Sequence, residues 1–129
     1  MSRIKTELRF PNSMLIVTGS ESFEVPEDFC GRLVAATSSC VAVGTAPESD
    51  AATTVVVVTP DFTANHTTPL KRVFSGRLDT DARTVAVRTV GLKTVLSAPV
   101  DRDESCIEIW VDHPVAPSTV VIVVGGATG

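Results

Sequence analysis

Two histidines, three cysteines and two acidic clusters are the side chains here with chemistry to offer. His66 and His113 are the only histidines. Each sits in a stretch that reads as a polar loop. With Asp61 or Asp112 they would make a small metal site if the two loops met in space, since imidazole nitrogens and carboxylate oxygens ligate transition metals. The plainer reading is two exposed loop histidines, and no metal is expected. A cysteine beside a histidine can act as a nucleophile–base pair. Cys30, Cys40 and Cys106 show no local signature for that and form no C-x-x-C motif. They read as buried or idle thiols. "DTD" (Asp79, Asp81) and "DRDE" (Asp101, Asp103, Glu104) gather carboxylates. Aspartate is favoured in turns because its side chain bonds the local backbone, and that accounts for both clusters. A calcium loop needs more ligands at alternating positions and a glycine at its bend. Paired carboxylates for glycoside hydrolysis usually work beside aromatic platforms, and the chain has only five Phe, one Trp and no Tyr. The nucleophile elbow, the phosphate loop, the dinucleotide fingerprint and the H-E-x-x-H zinc motif are all absent. The expectation is a protein that is not an enzyme and carries no cofactor.

The most informative stretch is "IEIWVDHP", Ile107 to Pro114, which holds the single tryptophan. Strand alternation puts Ile107, Ile109 and Val111 in the core and Glu108, Trp110 and Asp112 on the opposite face. Two readings follow. Trp110 packs over a neighbouring strand or under a loop, with the carboxylates at its rim. Alternatively it is an exposed aromatic anchor whose flanking acids pair with Arg or Lys of a partner, since tryptophan is favoured at binding hot spots. On the second reading, Glu108, Trp110 and Asp112, with Asp101 and Asp103, are the partner-binding candidates.

What positions these residues is a run of strands. No segment sustains an apolar period of 3.6, whereas period-2 alternation recurs. Ile4, Thr6, Leu8 and Phe10 face one way, and Arg3, Lys5, Glu7 and Arg9 the other. "MLIV" (Met14 to Val17) follows as a buried strand. Further strands are expected around 33–37, 40–44, 53–59, 70–78, 84–90, 94–98, 106–112 and 119–124, separated by turn-forming clusters. Pro60 to Pro69 reads as a loop. "FEVPEDF" is the ambiguous stretch: Pro26 either opens one helical turn near 26–30 or lies in an irregular loop. "TTVVVVT" is apolar on both faces, which suits a central strand covered on both sides or a face held for another subunit. The expectation is an all-β fold of about eight or nine short strands in a two-sheet antiparallel sandwich. Residues 1–124 are read as one domain and 125–129 as a flexible tail.

Bulk numbers narrow the partners. The chain has 129 residues, 11 Lys plus Arg against 15 Asp plus Glu, and a formal net charge of −4. There is no basic run, so nucleic-acid binding lacks its electrostatic footprint. The longest apolar runs, Val55 to Val58 and Val120 to Val124, are far too short to span a bilayer as a helix. "MSRIKTELRF" has no apolar run of the kind a secretory signal needs. With unpaired thiols, this places the expected compartment in the cytoplasm.

The order of these segments resembles that of the competence-protein-J-like family of bacterial nuclease inhibitors and similar small β-sandwich immunity proteins. An amphipathic opening ("TELRF", then "MLIV") precedes the irregular acidic "FEVPEDF". The hairpins "VFSGRLDTDARTVAVRTV" and "VLSAPVDRDESCIEIWV" follow, and "VVIVV" closes the chain. The resemblance lies in layout and brings over no functional residue. It implies a non-enzymatic cytosolic protein that masks a nuclease or toxin. The favoured expectation is therefore a protein-binding inhibitor that uses an acidic surface against a basic partner. The first alternative is a structural or assembly protein that forms homo-oligomers. The second is a small metal-binding enzyme built on His66 and His113.

Overall fold

Among the described residues, ten strands appear where the sequence pattern placed them. They are β1 (Arg3–Leu8), β2 (Met14–Thr18), β3 (Val34–Ala36), β4 (Cys40–Gly44), β5 (Thr53–Val58), β6 (Lys71–Asp79), β7 (Thr84–Thr89), β8 (Thr94–Pro99), β9 (Glu104–Val111) and β10 (Thr119–Gly125). The computed structural model describes residues 3–10, 13–26, 32–47, 52–58, 70–91, 93–113 and 116–125. The expected turn near residues 26–30 falls largely outside them, as do the loop with Asp61 and His66, Cys30, and the tail beyond Gly125. Each of the ten stretches read as a strand is one, "VAA" and "CVAVG" pairing across a tight turn, so the count lies slightly above the expected eight or nine.

The strands form two five-stranded sheets, ordered β1-β5-β10-β9-β6 and β3-β4-β2-β7-β8. The fold is thus the all-β sandwich expected, with one departure from a purely antiparallel pattern. β10 runs parallel to β5, Val121 lying opposite Val56 and Val123 opposite Val58. No hairpin links these strands. The chain crosses to the second sheet and returns between them, so either direction is open to the pair. The sheets also meet at their margins, with β1 beside β8 and β6 beside β4.

Between the sheets lies a core of mainly β-branched and aliphatic side chains. Leu15, Val17, Val41, Val43, Val85 and Val87 come from the second sheet, and Val55, Val57, Ile107, Ile109, Val120 and Ile122 from the first. Among the described residues, Phe10 is the one fully buried aromatic. Val and Ile suit this position because branching at Cβ fills a pleated, covered surface at little cost in rotamer freedom.

Each sheet also buries a small apolar cluster on its outer face. On the first it is Val56, Val58, Val121 and Val123, with Leu70 and Trp110 packed against them. On the second it is Ile16, Cys40 and Ala42, with Met14 and Phe23 packed against them. The two-faced "TTVVVVT" is thereby explained. β5 lies inside its sheet between β1 and β10, and Val56 and Val58 are only 4% and 5% exposed within one chain. The apolar face that motivated self-assembly is already covered.

Candidate functional site

Trp110 points outward because β9 alternates strictly, Ser105, Ile107, Ile109 and Val111 being buried and Cys106, Glu108 and Trp110 half-buried between them. Register then sets its neighbours. Val121 of β10 lies opposite it on one side and Arg72 of β6 on the other. Beyond Val121 come Val56 of β5 and Lys5 of β1. The indole covers the valine ridge and keeps part of its surface exposed. Its Nε1–H donates to Glu108 Oε1 at 3.0 Å. Glu108 Oε2 lies 3.5 Å from the Arg72 guanidinium. Strand alternation puts tryptophan and glutamate on one face, and the carboxylate two residues back accepts the indole N–H hydrogen bond there.

Asp112 has a different task. Its Oδ1 accepts the backbone N–H groups of Ser118 and Thr119 at 3.0 and 3.1 Å, and its Oδ2 accepts the Ser118 hydroxyl at 2.9 Å. This network closes the β9–β10 connection. His113 joins it by accepting the Ala116 N–H on Nδ1 at 3.1 Å. That bond needs the Nδ1 lone pair, so the same nitrogen cannot hold a metal while the turn is intact. Among the described residues no three His, Cys, Asp or Glu groups gather around one point to hold an ion.

Asp101 and Asp103 lie far from this network. They precede β9, whereas Trp110 is near its end, so at about 3.3 Å per residue roughly 20 Å separates them. The structure instead joins the two acidic clusters that look independent in sequence. Thr80 does this. Fully buried, it donates its N–H to Asp103 O and its hydroxyl to Arg102 O, and it lies 2.9 Å from the Ser105 hydroxyl. Arg83, with φ near 58°, accepts the Val100 N–H on its carbonyl and donates its guanidinium to Asp101 O at 2.7 Å. Gly19 joins the same knot by accepting the Ala82 N–H. A β-carbon at Gly19 would stand 2.5 Å from Thr80 Cγ2 and 2.6 Å from Asp79 O, so only glycine fits. One pole of the sandwich thus presents Asp81, Asp101, Asp103 and Glu104, all exposed, with Asp79 half-buried beside them and Arg83 and Arg102 exposed among them. Arg77 pairs with Glu104 at 3.0 Å on its edge.

Sequence reasoning did not single out Arg72, Arg77, Phe23 or Arg88. The first two matter because β6 pairs with β9, a partnership set by the fold. Alternation along β6 is a usable signal for which of its residues face out. It does not say which strand they face across.

These features define a class: a two-sheet β-sandwich with a covered aromatic on one sheet and an acidic pole built from two turns. No family model matches the chain, and no curated protein matches it in sequence. Among solved structures it is similar to ComJ from Bacillus subtilis, described as an inhibitor of the DNA-degrading activity of NucA. The TM-score is 0.69 at 12% identity, over 96% of each chain. The two chains share the whole sandwich, and the resemblance in segment order is a resemblance in fold.

Proposed function

We propose that this protein is a non-enzymatic inhibitor that binds and masks a DNA-degrading nuclease or a similar basic toxin. The observation that carries the reading is the end-to-end likeness to ComJ, a nuclease inhibitor, over 96% of both chains. The acidic pole is the docking surface. Asp81, Asp101, Asp103 and Glu104 are exposed, and complementary charge speeds capture of a basic partner. A nuclease that grips phosphates offers such a surface. An interface of ordinary size, about 800 Å² a side, centred on the pole extends roughly 16 Å from its middle, and Glu108 and Trp110, farther along β9, join the docking surface only in a larger one. Asp112 supports the turn behind it. The expected place of action is the cytoplasm, on the strength of the unpaired thiols.

The test is inhibition. Purified protein is added to NucA, and to the nucleases of its own source cells, with plasmid DNA as substrate. Protection of the DNA at stoichiometric protein supports the proposal. Asp101→Asn with Asp103→Asn should then slow association several-fold at low salt and have little effect at high salt. Complete degradation of the DNA at large protein excess, with every nuclease tried, overturns it.

A further inference from the structure

After β2 the chain turns back over the outer face of the second sheet. Residues 20–26 belong to no strand, yet Phe23 packs onto Ile16, Cys40 and Ala42. These three share the outward face because they alternate with the core residues Leu15, Val17, Val41 and Val43 and lie in register, Ile16 opposite Ala42. Two fasteners hold the segment. At one, the Arg88 guanidinium lies over the Phe23 ring, 5.7 Å from its centre, while its Nε donates to the Thr18 hydroxyl at 3.1 Å. At the other, the β3–β4 turn grips Glu24. Its N–H donates to Ser39 Oγ at 2.8 Å, and its carbonyl accepts the Thr37 hydroxyl at 2.6 Å. Around these points the segment is open to water. Glu21, Ser22 and Glu24 are exposed, and Val25, at 43%, is the one exposed large hydrophobic residue among the described residues.

We infer that residues 20–26 form a latched strap that opens as a unit while the sandwich stays folded, uncovering an apolar seat of Ile16, Cys40 and Ala42. The contrast in fastening carries this. The sheet beneath is held by continuous ladders on both sides of β2. Among the described residues, the strap is held by one ring, one cation and two side-chain hydrogen bonds. Segments with few buried contacts and solvent-exposed hydrogen bonds open at lower free energy than the global fold. Closed, the strap fills the seat with its own aromatic. The strap's surroundings adjoin the acidic pole, Gly19 accepting the Ala82 N–H and Ser38 of the latch turn accepting the Asp79 N–H, but the inference does not depend on the inhibitor reading.

Cys40 reports the opening. It is fully buried in the closed form, and burial pushes its thiol up to about 11, so the closed form is unreactive. Cys106, half-buried on the other sheet, serves as the internal reference. The experiment is alkylation of the native protein with N-ethylmaleimide, read at each cysteine by peptide mass spectrometry. Ser39→Ala removes one hydrogen bond from the latch and should speed Cys40 labelling about fivefold. Phe23→Ala should speed it more, and neither should change the Cys106 rate. The urea dependence of Cys40 labelling separates latch from fold, since strap opening exposes little surface and should show a slope well below that of global unfolding. Cys40 rates unchanged in both variants overturn the proposal. So does Cys40 labelling that rises with urea along the full unfolding slope.

Discussion

The two outer faces solve the same problem by different means. Each carries a few apolar side chains that the central core cannot cover, and each covers them with one aromatic ring and one aliphatic neighbour, Leu70 on the first and Met14 on the second. On the first sheet the ring is Trp110, supplied by β9 itself and fixed by ladders to β10 and β6. On the second it is Phe23, supplied by a segment outside the sheet. A cover that is part of a strand cannot lift without breaking the sheet. A cover on a strap can. Similar burial thus gives a permanent lid on one side and a removable one on the other.

Trp110→Ala should have the largest effect on this comparison. It strips the valine ridge and strands Glu108 without its indole donor. The expected loss is about 2–3 kcal/mol of global stability, read from the urea midpoint. A loss near zero would mean that Leu70 alone covers the ridge, and the lid would not be Trp110.

Alkaline pH should act through the strap side. Desolvation raises the Cys40 thiol from 9.0 to about 11. In the unfolded chain the thiol ionises first, so the stability it carries is fully present below pH 9 and is lost as pH rises toward 11. The loss is on the order of 2 kcal/mol and is capped by strap opening, which lets the thiol ionise without global unfolding. Cys40→Ala should flatten this part of the pH–stability curve, and an unchanged slope would remove the thiol as its cause.

Phe23→Ala should cost about 1 kcal/mol of global stability, less than its counterpart, because the ring is half-buried and the strap is lightly held. Trp110 emission should not shift in this variant, since the indole lies on the opposite face. A shift would mean that the two covers are coupled through the core. Arg72→Ala should matter least, under about 0.5 kcal/mol. Its 3.5 Å pair with Glu108 is open to solvent, the two side chains being 53% and 35% exposed. Differential scanning calorimetry on this variant would detect anything larger.

By itself the sequence determined the strands and their parity. Period-2 alternation along Ile107 to Val111 is a local property, and so is the β-branched run at Val55 to Val58. Both survive intact because side-chain direction in a strand follows from backbone geometry alone. The segment order carried enough of the fold for its likeness to nuclease inhibitors to be visible. What it could not carry was partnership. Nothing local says that Arg72 stands across from Trp110, that β5 and β10 run parallel, or that Thr80 draws two separate acidic turns to one pole. Nor does composition tell Glu108, which takes an indole proton, from Asp112, which closes a turn. Phe23 shows the limit most clearly. It lies in a stretch with no periodicity to read, and its role exists only because folding brings Arg88 to its ring and Thr37 and Ser39 to the backbone of Glu24 beside it. Such pairings join residues tens of positions apart, so the tertiary structure alone decides which side chains lie at hand.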